Sequence, residues 1–171
     1  AAEMSKGELA ALVFEKLVMV TRKTRLEELV ERFNTREQAR FYIEHMGLDF
    51  ADYDLEHANY QRALTGLRRD LEGLLSKLQV VDRQYLPNFL FSPKDLVVTV
   101  GQDGLVVNTA KYLDGQPIVA VNPDPARFDG ILLPFSPEAA AAGVLRVVEG
   151  GAAVHRITMA EATFNDGQRL L

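Results

Sequence analysis

The sequence predicts an α/β fold in which a doubly wound, mostly parallel sheet is flanked by helices. Short apolar runs rich in β-branched residues recur along the chain, as expected of strands that are buried on both faces. Capped or amphipathic segments separate several of these runs, and this alternation indicates parallel strand pairing. Apolar residues make up 47% and charged residues 25% of the 171-residue chain, which is ordinary for a protein with one packed core.

The individual elements follow from local signals in the sequence. Four strands are predicted at residues 17–20, 78–81, 95–100 and 117–121. Thr24 opens a T-R-L-E capping box for a helix to about residue 33, and Thr35 repeats the device in T-R-E-Q. Gly47 is predicted to end this second helix. Further helices are predicted over residues 105–113 and, from a Ser136 cap to the Gly150-Gly151 pair, over residues 136–149.

A leucine stripe indicates an additional amphipathic helix between the first two strands. Its members recur every three to four residues on a charged segment, the spacing of one helix face. We expect all of them to lie in the core. They are Leu64, Leu67, Leu71, Leu74 and Leu78.

The stretch D-L-V-V-T-V-G-Q-D-G, residues 95–104, combines a buried strand with a glycine loop that holds one carboxylate, Asp103. Ligands of open α/β sheets bind beyond the carboxyl ends of the strands. Gly101 and Gly104 would allow close approach of the backbone to a phosphate, and the N-terminus of the following helix favours anions. A tight turn of the same composition is the alternative interpretation. The functional interpretation predicts a phosphorylated ligand.

A second polar loop, N-P-D-P-A-R, begins at Asn122 after the strand at residues 117–121. If the two strands are adjacent and parallel, both loops face one crevice. Asp124 either contacts a ligand there or is a turn residue between two prolines. Arg22, Lys23 and Arg25 follow the first strand and either meet phosphates at the same edge or form a solvated basic turn. Asn108, one helical turn past the glycine loop, is a further candidate nucleotide contact.

These motifs resemble those of the NAD kinases. The hallmark of that family is a G-G-D-G loop after a strand, then a helix and a strand that ends in asparagine. The chain has G-Q-D-G at residues 101–104 and I-V-A-V-N at residues 118–122. The continuation N-P-D-P-A-R-F-D-G-I-L-L-P and the earlier V-T-R-K-T-R-L-E-E-L are most similar to the mitochondrial-type branch. The resemblance runs from about residue 16 to the end of the chain.

The resemblance implies an enzyme that transfers phosphate from ATP, or from polyphosphate, to the 2'-hydroxyl of NAD to make NADP. Asp103 would be the base that takes the hydroxyl proton. Asn122 would bind polar groups of the nucleotide or tie the two loops together. Magnesium is implied as a cofactor, held mostly by the nucleotide phosphates, so no protein metal ligands are assigned. The residues expected to bind the nucleotides are Gly101, Gln102, Gly104, Asn108, Asn122 and Asp124.

Two residues depart from the family pattern and keep other functions open. Gln102 replaces the second glycine, which costs about 1 kcal/mol if the position needs a positive φ, and its side chain could enter the phosphate site. Leu105 stands where a threonine commonly follows the motif. A catalytically impaired nucleotide-binding protein is therefore one alternative. A lipid or sugar kinase is the other, because lipid kinases of the same superfamily share a glycine-aspartate-glycine loop.

The chain is expected to comprise an α/β nucleotide-binding domain, residues 1–151, and the beginning of an incomplete β domain, residues 152–171. Residues 154–164 alternate as a half-exposed strand does, and Asn165-Asp166-Gly167 is a hairpin turn signal. The family's later asparagine-acid pair would lie beyond Leu171, so this fragment alone is expected to be inactive. The intact protein is expected to form homo-oligomers through its β domain.

Composition narrows the class of protein further. A net charge of −5 argues against a general nucleic-acid binder. The chain contains no cysteine, which excludes disulfides, thiol nucleophiles and cysteine metal ligands. Its three histidines, His45, His57 and His155, have no metal-ligand spacing. No apolar stretch is long enough to span a bilayer, so no membrane association and a cytoplasmic location are expected, or the mitochondrial matrix in a eukaryote.

Overall fold

The computed structural model describes residues 14–163, 165 and 167–171, and its centre is a four-stranded sheet flanked by helices. The strands lie in the order β2-β1-β3-β4, and every neighbouring pair is parallel. The α/β class and the parallel sheet predicted from the sequence are thereby confirmed. The strands are β1 (Lys16–Thr21), β2 (Lys77–Asp82), β3 (Asp95–Val100) and β4 (Ile118–Val121).

Strand β3 is central to the core because all six of its residues are buried. Successive side chains point to opposite faces of a strand. Leu96, Val98 and Val100 accordingly belong to one core cluster, whereas Val97 belongs to a second cluster together with Leu105. A sheet with apolar side chains on both faces needs cover on both, which explains why β3 reads as an unbroken apolar run.

Helices supply that cover. Helices α3 (Phe50–Leu71) and α5 (Ala140–Val148) contribute to the first cluster. Helix α4 (Asp103–Ala110) and a short 3₁₀ helix, Arg83–Asn88, contribute to the second. Helices α1 and α2 instead pack with the start of α3 around a small separate cluster. The helices are α1 (Arg25–Phe33), α2 (Arg36–His45), α3 (Phe50–Leu71), α4 (Asp103–Ala110) and α5 (Ala140–Val148). No helix in the described part of the chain is both long and apolar enough to cross a membrane.

Local caps determine where α1 and α2 begin and end. The Thr24 hydroxyl accepts a hydrogen bond from the Glu27 amide, and the Glu27 carboxylate accepts one from the Thr24 amide, so the predicted capping box is confirmed. The Thr35 hydroxyl accepts from the Gln38 amide in the same way. Gly47 follows α2 with a φ of +73°, a conformation that favours glycine.

Three predicted helices begin or end at other residues than the sequence suggested. The leucine stripe is buried or half-buried as expected, but α3 ends at Leu71, and Leu74 and Leu78 reach the same core from the following turn and from β2. Helix α4 covers residues 103–110 and not 105–113. Helix α5 begins at Ala140, since the Ser136 side chain does not cap it, although Gly150 follows its end with a φ of +73° as predicted.

The C-terminal segment contains far less strand than predicted. Among the described residues 154–163, only Ala162–Thr163 form a strand, β5, and it pairs antiparallel with β6, Arg169–Leu170. Residues 164 and 166, which belong to the predicted strand end and turn, lie outside the described residues. The division of the chain near residue 151, and the assignment of the last segment to a β domain, stay predictions.

Candidate functional site

The order of the strands creates a crevice between the carboxyl ends of β1 and β3. From β1 the chain leads to β2 on one side, and β3 then lies on the other side of β1. Connections that leave in opposite directions open a gap above such neighbouring strands, which is where open α/β sheets bind ligands. Arg22 and Lys23 follow β1 into this gap, and Gly101 and Gln102 follow β3.

The walls of the crevice come from two other parts of the chain. Glu56 and Tyr60 of α3 line one side, and Asp124 and Phe128 of the loop after β4 line another. The cavity between these residues is partly open and has a volume of about 20 Å³, which is room for roughly one water molecule. Its interior therefore admits only a very small group.

The glycine loop follows β3 without any left-handed residue. Gln102 has φ −88° and ψ 176°, so the conditional backbone cost of a non-glycine residue at this position does not arise. Its half-buried side chain lines the crevice instead. Gly101 is needed for space, since a Cβ there would lie 2.7 Å from Leu105 Cδ2 and 3.3 Å from Arg22 Cδ. Gly104 is exposed, and a Cβ there would meet nothing within 4 Å.

Helix α4 starts directly at this loop. Its N-cap residue, Gln102, makes no side-chain capping hydrogen bond. The Leu105 amide donates to the Gln102 carbonyl oxygen at 3.0 Å, whereas the amides of Asp103 and Gly104 have no hydrogen-bond acceptor within the described residues. Free amides at a helix start attract anions. A phosphate-binding role for this loop stays a prediction.

Asp103 ties the glycine loop to the loop that follows β4. Its Oδ1 accepts a hydrogen bond from the Leu132 amide at 2.9 Å, and its Oδ2 accepts one from the Ile131 amide at 3.1 Å. The side chain is half-buried at the same rim as the crevice but is not among the residues that line it. A carboxylate offers about four acceptor positions, so two remain for other donors.

Asn122 organises the second loop from inside. Its side chain is 4% exposed, its Nδ2 donates to the Phe128 carbonyl oxygen at 2.7 Å, and its Oδ1 accepts from the Asp124 amide at 3.1 Å. Strands β3 and β4 are adjacent and parallel, so the two polar loops do meet at one edge. Asn122 shapes its own loop, however, and the tie between the two loops is made by Asp103.

Asp124 lines the crevice, and its negative charge is already paired with a cation of the protein. Its Oδ2 accepts from Asn59 Nδ2 at 2.9 Å and lies 3.6 Å from Arg127 Nε. Arg127 Nη1 in turn lies 2.8 Å from Asp52 Oδ1. Arg127, followed by Arg25, holds the pKa of the Asp52 carboxyl below its usual value. These contacts fasten helix α3 to the loop after β4.

Arg22 and Lys23 differ in the charge that they offer to a ligand. Lys23 Nζ lies 2.6 Å from Glu31 Oε2, and this contact raises the pKa of the lysine. The Arg22 guanidinium donates from Nε to the Lys23 carbonyl oxygen at 3.3 Å, and within the described residues no carboxylate pairs with it. Arg22 is therefore the cation at the crevice whose charge is left for an anion.

Several features of this site do not follow from the predicted motifs. Asn108 is half-buried on α4 but does not line the crevice. Tyr60 and Glu56 do line it, and the sequence motifs missed both because they lie on α3 before the leucine stripe, where no element was predicted. Among residues 14–163, 165 and 167–171, no group of three histidine or acidic side chains is placed to hold a metal ion.

No protein-family model matches the chain, and no curated protein matches it either. Membership of the NAD kinase family therefore stays a prediction from the motifs of the sequence.

Proposed function

We propose that the chain is the nucleotide-binding domain of an NAD kinase-like phosphotransferase. The observation that supports this most is a juxtaposition at the β1–β3 crevice. There the unpaired Arg22 guanidinium lies beside the loop of residues 101–104 and the uncapped start of α4. A cation and backbone amides that converge on a sheet edge form a typical phosphate site.

In the proposed reaction, the 2'-hydroxyl of the NAD adenosine ribose attacks the terminal phosphorus of ATP. The new O–P bond forms as the bond between that phosphorus and the bridging oxygen breaks, and ADP leaves with the electron pair. The hydroxyl proton passes to Asp103, whose two backbone hydrogen bonds hold it at the rim while two acceptor positions stay open. Arg22 and the amides at the start of α4 bind phosphate oxygens.

Magnesium, when bound with the nucleotide, neutralises phosphate charge. Its ligands are expected to be mainly phosphate oxygens and water. What the chain's own residues contribute is position, because phosphoryl transfer depends mostly on orientation and on charge stabilisation.

The test is the formation of NADP from NAD and MgATP by the full-length protein and its Asp103→Asn variant. We expect kcat to fall by about 10²–10⁴-fold, the usual contribution of a general base. The substitution also replaces one acceptor of a backbone amide, at a cost of about 1–3 kcal/mol in unfolding free energy. Urea unfolding must therefore accompany the assay, which is run well below the melting temperature. Turnover within about threefold of the wild type would refute the role of Asp103 as base.

Asp129→Asn provides the matched control. Asp129 is exposed and lies in the loop after β4 that Asp103 contacts. Its replacement by asparagine removes the same negative charge, but within the described residues its carboxylate makes no hydrogen bond. We expect its turnover and its unfolding free energy to equal those of the wild type. Equal losses in both variants would mean that net charge near the loop, and not a base, controls the rate.

A catalytically impaired nucleotide-binding protein is the second candidate. The narrow crevice and the engagement of both Asp103 oxygens favour it. It predicts that calorimetry detects binding of ATP or NAD while no phosphorylated product forms with NAD, a lipid or a sugar as acceptor. Detection of NADP would eliminate it, and product from the lipid or sugar alone would assign a different acceptor.

A further inference from the structure

Tyr60 places its hydroxyl between the ends of two adjacent strands. The side chain projects from α3 and is 5% exposed. Its hydroxyl oxygen accepts a hydrogen bond from the Arg22 amide at 3.0 Å, and the same hydroxyl donates to the Val100 carbonyl oxygen at 2.7 Å. Arg22 follows the end of β1, and Val100 is the last residue of β3.

This hydroxyl lies where the direct pairing of β1 with β3 stops. The register of the two strands runs from Lys16 and Asp95 to Val20 and Thr99, and no later pair belongs to it. On its other side β3 continues to pair, because Val100 is in register with Val121 and the Gly101 amide donates to the Val121 carbonyl oxygen at 3.3 Å. The strands thus separate only on the side that faces the crevice.

The bonding pattern requires a neutral phenol. One hydroxyl has to accept from an amide and donate to a carbonyl at the same time, and a phenolate has no proton to donate. Burial raises the pKa of the Tyr60 hydroxyl well above its ordinary value of 10, so the group stays protonated at neutral pH. Removal of the hydroxyl would leave a buried amide and a buried carbonyl without their partner, and such groups either find water or move together.

We propose that Tyr60 is a positioning residue that holds the β1–β3 crevice open and sets the distance between Arg22 and the loop of residues 101–104. The proposal rests on the proposed function for its ligand, a nucleotide polyphosphate. Without the hydroxyl the two strand ends can pair directly, which would draw the Arg22 side chain toward Gly101. The Arg22 side chain already packs close to this glycine, since a Cβ built on Gly101 would lie 3.3 Å from Arg22 Cδ, and the missing Cβ leaves the space into which Arg22 would move.

The test compares Tyr60→Phe with Tyr53→Phe, a matched control on the same helix. Tyr53 stacks its ring 4.2 Å from the Arg25 guanidinium and makes no hydrogen bond through its hydroxyl. MgATP binding is measured by calorimetry, and backbone amide shifts by NMR. We expect Tyr60→Phe to weaken MgATP binding about tenfold or more and to move the Gly101 and Gln102 amide signals. Tyr53→Phe should do neither.

A double-mutant cycle with Arg22→Ala separates positioning from a general loss of structure. Arg22→Ala keeps the backbone amide that Tyr60 binds and removes the side chain that Tyr60 is proposed to position. If Tyr60 acts through Arg22, the double variant binds MgATP no more weakly than Arg22→Ala alone. Losses that multiply, or wild-type affinity in Tyr60→Phe, would overturn the proposal.

The same experiment distinguishes a failure of this proposal from a failure of the proposed function. If the wild-type protein binds no MgATP and makes no NADP, the proposed function is wrong. The positioning role is then judged by the amide shifts of Gly101 and Gln102, which do not require a ligand. Unchanged shifts in Tyr60→Phe overturn it, and shifts that move only in this variant support it.

Discussion

The two glycines of the loop at residues 101–104 should respond oppositely to alanine. Gly101→Ala places a Cβ 2.7 Å from Leu105 Cδ2 and 3.3 Å from Leu105 Cβ. Leu105 is 2% exposed and packs in the core cluster that includes Val18 and Val97, so it has little space to retreat. Overpacking of this kind costs about 1–3 kcal/mol of unfolding free energy. Gly104→Ala meets nothing within 4 Å and needs no positive φ.

Gly104 lies in the first turn of α4, where alanine loses less backbone entropy on folding than glycine does. In the middle of a helix this difference is about 0.5–1 kcal/mol, and near the end it is smaller, so Gly104→Ala should be neutral or slightly stabilising. Urea unfolding of the wild type and of both variants measures the difference directly. For a chain of this size, 1 kcal/mol corresponds to about 2–4 °C in Tm. Equal destabilisation by the two variants, or none by Gly101→Ala, would refute the packing argument.

Two further predictions concern Thr109 and Asp52, which do not line the crevice. The Thr109 hydroxyl is buried on α4 and has no hydrogen-bond partner in the described part of the chain, so Thr109→Val should raise the unfolding free energy by about 1 kcal/mol in a urea titration. Thr24→Val is the contrasting variant, and the loss of its cap should cost about 1–2 kcal/mol. Asp52→Asn should make the unfolding free energy depend less on pH under acidic conditions. The pKa of Asp52 in the folded chain lies below 3.8, so the unfolded chain binds the proton first and stability is lost as pH falls. Because Asp52 is 47% exposed, the effect should be about 0.5 kcal/mol, visible in thermal melts between about pH 5 and pH 3.

Local signals in the sequence were sufficient for the strands and for several helix ends. The run at residues 95–100 predicts a buried strand because unbroken apolar, β-branched residues suit a sheet that is covered on both faces. Thr24 and Thr35 predict helix starts because their hydroxyls satisfy amides only two or three residues away. Gly47 predicts a helix end because glycine adopts a positive φ without a steric penalty, whatever residues surround it.

Local signals were misleading where a regular spacing of apolar residues did not come from one helix or one strand. The spacing of the five leucines suggested that they share one helix face, although Leu74 and Leu78 reach the core from a turn and a strand. The spacing indicates that the leucines are buried. A leucine can be buried on a helix, in a turn or in a strand, so burial does not identify the element. Alternation over residues 154–164 likewise suggested a strand that is present only at Ala162–Thr163.

The sequence by itself determined that two polar loops each follow an apolar strand and that one of them carries a carboxylate between glycines. That the two strands are neighbours and parallel was decided by the tertiary structure. Only the tertiary structure decided what those residues touch. Asp103 is bonded to the amides of Ile131 and Leu132, and the hydroxyl between β1 and β3 comes from Tyr60 on α3. The physical reason is that a cap or a turn is satisfied within a few residues, whereas contacts across a crevice depend on how whole helices and strands pack together.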